Sequence, residues 1–299
     1  MVGADGNIRK KSAIQTFSSR RFPEFHYHQY TPTYGAEGLP VLVAVHGILR
    51  RAKEQARAFS IYAERYGFVL IAPLFCRRNF PAYQRLGVSR QHVPCYPDIA
   101  LNAVLDEACE RSGAITDRVY LFGYSAGGQF VHRYAMEHPE KVHAVAMGAA
   151  GWYTFPDKHA PFPRGLGTRS GFRPIELDPQ SFLKIPMATF VGEHDIYQDP
   201  TFKRSPRLDL QQGLSRVERA ERWANAMSDA AQDYGFDTRY DSHVMTSCGH
   251  SFTDCVEQGG LASQAVGFYS QVGQRHTKAK LVSPEPLGKQ LQNHLNVRL

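Results

Sequence analysis

The stretch Val119-Tyr120-Leu121-Phe122-Gly123-Tyr124-Ser125-Ala126-Gly127 decides how the chain is read. A short, mostly apolar run leads into a Gly-x-Ser-x-Gly pentapeptide. Helix-forming sequence then continues from Ala126 to about His138, where Pro139 stops it. An apolar run without polar alternation is the pattern of a strand buried on both faces. A serine between such a strand and a helix stands on a sharp turn with its hydroxyl exposed above the sheet. Glycines two before and two after leave room for that turn and for close strand–helix packing. The helix also aims its N-terminus at the serine, which favours developing negative charge.

Outward from this elbow the same alternation recurs. Val41–Val45, Phe68–Ala72, His143–Met147 and Met187–Val191 read as buried strands, Phe25–Tyr30 as an early edge strand, and Thr238–Val244 as the last strand. Helices are expected from Ala52 to Tyr66, stopped by Gly67, and from Ile99 to Ser112 with Asp98 as N-cap. Another opens on the capping box Ser215-Arg216-Val217-Glu218 and carries Ala220, Trp223, Ala224, Met227 and Ala231 on one apolar face. The last runs from Thr253 to Gln274. Strands alternating with helices predict an α/β fold, a mostly parallel central sheet with helices on both faces. The division expected is a polar segment over 1–24, one domain over 25–275 and a tail over 276–299. Loops over 73–97 and 150–180 are long and irregular, and long loops inside a domain are usually functional.

In such a sheet chemistry is sought at the carboxyl ends of the strands. A serine hydroxyl is a poor nucleophile without a base, and the base needs an acid to orient it. With Ser125 as nucleophile, the acid is expected at a later strand end, where Val191-Gly192-Glu193-His194-Asp195 stands. Asp195 is preferred, with Glu193 and then Asp199 as rivals. The base is expected after the last strand, in Cys248-Gly249-His250, with His194 and His243 as rivals to His250. Acyl transfer also needs two backbone N–H donors aimed at the oxyanion. Ala126 follows the nucleophile and Ile48 lies in the His46-Gly47-Ile48 turn after the first buried strand. The aromatics Phe75, Phe80, Tyr83, Trp152, Tyr153 and Phe155 lie in the two long loops. Of these Phe75, Tyr83, Trp152 and Tyr153 are the expected substrate-binding residues. Arg50 and Arg51, after the oxyanion turn, are expected to be solvated, with the holding of a substrate carboxylate or phosphate as the alternative.

Taken in order at strand ends, these three elements resemble the α/β-hydrolase superfamily over about residues 25–275. Val43–Ile48, Ala72–Phe75, Leu121–Arg133 and Gly151–Thr154 look more narrowly like the branch of poly(3-hydroxybutyrate) depolymerase-like and feruloyl-esterase-like proteins. The resemblance implies the α/β-hydrolase fold with loop or cap insertions over the site. It implies a serine esterase working through an acyl-enzyme on a small-molecule or oligomeric ester. A peptidase, thioesterase or acyltransferase would share the same triad. A ligand-binding protein on a hydrolase scaffold is the reading of another class, and an intact triad argues against it.

Composition sets the outer bounds. The 299 residues carry a formal charge of +7, scattered without a long basic run or a nucleic-acid recognition motif, so no nucleic-acid partner is expected. No phosphate-binding loop, dinucleotide fingerprint or metal-ligand cluster is seen, and no cofactor or metal is inferred. The five cysteines form no CxxC pair. They read as reduced thiols, with Cys76 and Cys95 close enough in sequence around one loop to pair. With neither a signal-peptide pattern nor a bilayer-length apolar run, a cytoplasmic location is the expectation.

Overall fold

The computed structural model describes residues 13–88, 95–168, 175, 177–197 and 199–282. Its centre is an eight-stranded sheet. In chain order the strands are β1 (Gln15–Ser18), β2 (His26–Tyr30), β3 (Pro40–Val45), β4 (Val69–Leu74), β5 (Ile115–Tyr124), β6 (Val142–Gly148), β7 (Met187–Gly192) and β8 (Tyr240–Met245). They lie side by side as β1-β2-β4-β3-β5-β6-β7-β8. β1, β2 and β4 pair antiparallel, and every pairing from β4 through β3 and β5 to β8 is parallel. The expected mostly parallel sheet is therefore what forms.

The helices are α1 (Ala52–Tyr66), α2 (Pro97–Ser112), α3 (Ala126–Glu137), α4 (Pro179–Phe182), α5 (Pro206–Gln212), α6 (Arg216–Asp233), α7 (Phe252–Glu257) and α8 (Leu261–Val282). Side-chain alternation along the strands builds two cores. Val41, Val43 and Val45 of β3 face one way, joined by Leu101 and Val104 of α2, Phe130 and Tyr134 of α3, and Trp223 of α6. Leu42 and Ala44 face the other way, with Phe59 of α1 and Ala265 and Tyr269 of α8. Burial on both faces explains why the central strands read as unbroken apolar runs.

Four expectations are corrected. β2 is not the edge, because β1 pairs with its outer side, Thr16 opposite His28. Asp98 does not cap α2. Tyr96 holds the N-cap position, and the buried Asp98 carboxylate accepts a hydrogen bond from His138 Nε2 at 3.0 Å. The final helix is two helices, α7 and α8, parted at Gln258-Gly259-Gly260. The long loops hold short helices, a 3₁₀ turn at Tyr83–Arg85 in one and α4 in the other; residues 89–94, 169–174 and 176 of these loops lie outside the described residues. Cys76 and Cys95 are both free thiols. Ser215 does cap α6, accepting from Glu218 N–H at 3.1 Å, while the Glu218 carboxylate returns one residue further out, to Leu214 N–H at 2.7 Å. No helix among the described residues is long and apolar enough to cross a membrane.

Candidate active site

Ser125 stands at the end of β5 with φ 53° and ψ −111°, a strained backbone for a residue with a side chain. Its N–H is tied to Gly148 O at 2.7 Å, and Gln129 N–H returns to Ser125 O at 3.2 Å. The flanking glycines are demanded by space. A Cβ on Gly127 would lie 2.3 Å from Val45 O, and one on Gly123 would lie 2.3 Å from Gly127 O. The elbow therefore holds α3 against the ends of β3 and β5, and the strain lifts the serine hydroxyl clear of the sheet.

Two further strand ends meet it there. His250 follows β8, and its ring lies on that of Tyr124 at 5.7 Å. His250 Nε2 is 3.1 Å from Ser125 Oγ, and Nδ1 is 2.7 Å from Asp195 Oδ2. A carboxylate only accepts, so Nδ1 carries the proton and Nε2 turns its lone pair to the serine. Asp195 comes from the turn after β7 and is buried. The rivals lie elsewhere. Glu193 accepts from Ser247 N–H at 2.6 Å, and His243 stacks on Phe190 at 4.9 Å. His194 reaches only toward Glu193, at 3.4 Å.

Sequence reasoning missed Arg216. This buried residue opens α6 and donates from Nη1 to Asp195 Oδ1 at 2.9 Å. Its Nη2 reaches Asp199 Oδ2 at 2.7 Å and Thr201 Oγ1 at 3.2 Å. Burial pushes the Asp199 carboxyl up, but bonds from Thr201 and Arg216 outweigh it and hold it down at about 2. Both oxygens of Asp195 are thus occupied, one by the imidazole and one by a guanidinium. A signal was present. Arg216 lies four residues before Ala220, on the apolar face of the helix, where a charge calls for a buried partner.

The turn carrying Ile48 is fixed by His46. Phe75 N–H donates to His46 Nε2 at 3.0 Å, which leaves Nδ1 to donate to Gly47 O at 2.8 Å. Burial keeps this imidazole neutral and lowers its pKa to about 4. The Tyr83 hydroxyl donates to His46 O at 2.7 Å. Neither the Ile48 nor the Ala126 N–H is spent on an acceptor among the described residues.

A cavity of about 370 Å³ opens over Ser125. Ile48, Leu49 and Phe252 give it apolar walls, and Gln55, Asp199 and Thr201 polar ones. The four expected substrate-binding aromatics are not among its lining residues. Phe75, Tyr83 and Tyr153 are fully buried. Phe75 and Tyr83 stack at 4.9 Å, and Tyr153 stacks on Trp223 at 5.0 Å. Half-buried Trp152 lies under the guanidinium of Arg133 at 4.3 Å. Large rings gain most by closing the core beneath a loop, and these do so. Phe80 and Phe155 join the same core. Arg50 is half-buried rather than freely solvated, since its guanidinium bonds Phe75 O and covers the Tyr83 ring. Arg51 is exposed and pairs with Glu54 at 3.2 Å. No cluster of three or more His, Cys, Asp or Glu side chains suited to a metal ion occurs among the described residues.

A parallel sheet with two antiparallel strands at one margin, crossover helices on both faces and a serine elbow at the end of a central strand is diagnostic. This is the α/β-hydrolase fold. The family model described as alpha/beta hydrolase fold matches residues 40–175. Among solved structures, the chain is similar to LpqC, a poly(3-hydroxybutyrate) depolymerase from Bordetella parapertussis. The identity is 25%, with 87% of this chain and 89% of that one covered and a TM-score of 0.69. It is similar to poly(aspartic acid) hydrolase-1 from Sphingomonas sp. KT-1 at 21% identity, covering 85% and 96% with a TM-score of 0.70. A ferulic acid esterase matches at 14% identity, covering 88% and 98% with a TM-score of 0.51. The poly(3-hydroxybutyrate) depolymerase is in line with the depolymerase-like resemblance, and the two more distant structures show the shared fold alone. No curated protein sequence matches the chain.

Proposed function

We propose that this α/β hydrolase is a serine esterase that cleaves carboxylic esters through an acyl-enzyme. The observation that carries the reading is the continuous relay Ser125–His250–Asp195, with separations of 3.1 and 2.7 Å. Ser125 Oγ attacks the ester carbonyl as His250 Nε2 takes its proton. Asp195 holds the imidazole in the required tautomer and stabilises the imidazolium. The carbonyl oxygen, now an anion, is received by the Ile48 and Ala126 N–H groups; one such donor lowers the barrier by about 2.7–4 kcal/mol. His250 returns the proton to the leaving alcohol, and a water then repeats the cycle on the acyl-enzyme. The similarity to a depolymerase whose name specifies a polyester supports an ester over an amide or thioester.

Two measurements test this. A fluorophosphonate probe is expected to label the wild type and not Ser125→Ala. Hydrolysis of p-nitrophenyl butyrate is expected to fall by about 10⁴-fold or more in that variant, with the fold intact by circular dichroism. An unlabelled wild type that turns over no p-nitrophenyl ester would overturn the reading.

A further inference from the structure

Arg216 stands where a cation is unfavourable on two counts. It is the first residue of the 18-residue helix α6, and a helix N-terminus carries partial positive charge. Its side chain is also only 1% exposed, and its Nε has no hydrogen-bond partner among the described residues. Well-packed apolar groups in place of a buried ion pair are often as stable or more so, so stability alone does not account for the pair with Asp195. What sets this guanidinium apart is where its two ends go. Nη1 donates to Asp195 Oδ1 at 2.9 Å, while Asp195 Oδ2 meets His250 Nδ1 at 2.7 Å. Nη2 reaches Asp199 Oδ2 at 2.7 Å. Asp199 lines the cavity over Ser125, whereas Arg216 does not.

From this we propose that Arg216 is a positioning residue of the relay: it fixes the orientation of Asp195 and, with Asp199 as its counter-charge, sets how readily His250 takes up a proton. The proposal rests on the esterase reading and names what tunes its base. Two carboxylates and one guanidinium leave one net negative charge behind the imidazole. Without the guanidinium there are two, which favours the imidazolium; without the Asp199 charge there is none, which disfavours it. The two changes therefore act in opposite directions. The other ionisable groups around the cluster are neutral, paired or unaltered by either change. Tyr124 of β5, Tyr153 after β6, and Cys248 and Cys255 on either side of His250 are all raised, chiefly by burial, and are uncharged at neutral pH. Arg219, one turn along α6, pairs with Asp209 at 2.8 Å, and Arg51 on the cavity rim pairs with Glu54 at 3.2 Å. Glu193 and Asp254 act on Cys248 and stay in place in every variant below. Burial pushes Asp199 up, but bonds from Thr201 and Arg216 hold it at about 2, so it is ionised wherever an imidazole titrates.

The test compares Arg216→Gln, Arg216→Lys and Asp199→Asn with the wild type as full-length proteins. The readout is the pH at which kcat/KM on p-nitrophenyl butyrate is half-maximal, on the limb that rises as the imidazole becomes neutral. This midpoint is expected to rise by about 0.5–1 pH unit in Arg216→Gln and to fall by about 0.3–1 pH unit in Asp199→Asn, the scale of one charge several ångströms away at a partly hydrated site. On the high-pH plateau kcat is expected to fall by about 10- to 100-fold in Arg216→Gln with KM within about 3-fold, because a loosened Asp195 misplaces the ring without altering the cavity. Arg216→Lys keeps the charge and is expected to hold the wild-type midpoint and restore most of kcat. A residue that only holds the fold would lower the melting temperature and leave every midpoint alone. An unmoved midpoint in Asp199→Asn, movement of Asp199→Asn and Arg216→Gln in the same direction, or Arg216→Lys matching Arg216→Gln overturns the proposal. Should Arg216→Gln not fold, Asp199→Asn decides by itself, a lowered midpoint upholding the proposal and an unmoved or raised one sinking it. An NMR titration of the His250 ring, assigned by the signal lost in His250→Gln, reads the same shifts without turnover. If the wild type turns over no ester, the esterase reading falls, and opposite shifts of the ring titration still uphold the role of Arg216. Identical ring titrations in all the proteins count against Arg216 even where turnover is normal.

Discussion

The Asp195 carboxylate is held between an imidazole and a guanidinium, and this shapes what single substitutions do. Asp195→Asn keeps the shape but presents an amide to His250 Nδ1, favouring the wrong tautomer. The expected loss in kcat is about 10⁴-fold, the size known for neutralising the acid of such a triad. Glu193→Gln touches the Ser247 turn and the His194 ring, neither of them in the relay, and is expected to stay within about 10-fold. The reverse ranking, measured on p-nitrophenyl butyrate, would move the acid to Glu193. At this scale the sequence was readable where a residue is bound to a strand end. Ser125, Asp195 and His250 follow β5, β7 and β8 in the order the relay needs. It was opaque where partners come from distant segments. Arg216 reaches Asp195 and Asp199 across a connection whose path no local pattern specifies. Phe75, Tyr83 and Tyr153 show the same limit, because composition does not tell a pocket wall from a core beneath a loop.

Among the elements, the connection after β6 illustrates how a loop beside a site can be structural. Trp152 gives one face to Arg133, a buried guanidinium whose Nη2 has no hydrogen-bond partner among the described residues. A desolvated cation–π contact is worth about 2 kcal/mol. Trp152→Ala is therefore expected to lower the melting temperature and to reduce kcat/KM on all p-nitrophenyl esters together, with the chain-length ranking unchanged. A changed ranking at constant melting temperature would return Trp152 to the pocket. Most elements were legible from their period. Val41–Val45 and Met187–Val191 are apolar throughout because both faces are covered. β1 was not, because Gln15–Ser18 is short and largely exposed, and the contacts that dock it, Thr16 on His28, Ser18 on His26 and Phe17 on Tyr27, leave no apolar run in the sequence. The break before α8 was also missed, since the apolar spacing runs on across Gly259-Gly260.

For the molecule as a whole, two buried neutral histidines tie stability to pH. His46 is lowered to about 4 and His132 well below its ordinary value, in both cases chiefly by burial. The unfolded chain protonates these rings near pH 6.5, above their folded values, and so binds more protons as the pH falls. Their contribution is complete above about pH 6.5 and is lost as the pH falls, for His46 by about pH 4. For His46 alone the loss is on the order of 3 kcal/mol. Asp199 acts in a lower window, since its contribution is present above its unfolded value of 3.8 and is lost as the pH falls through about 2. Urea melts at pH 7 and pH 4.5 are expected to show a clear fall in stability; equal midpoints would contradict it. The sheet order bears on durability in another way. Ser125 hangs from β5 in the middle of the sheet, whereas His250 hangs from β8, the outermost strand, which has β7 as its one neighbour. Outer strands open locally at lower free energy than central ones. On the esterase reading, fraying of that seam parts His250 from Ser125 while the centre stays folded, and activity is expected to be lost below the melting temperature.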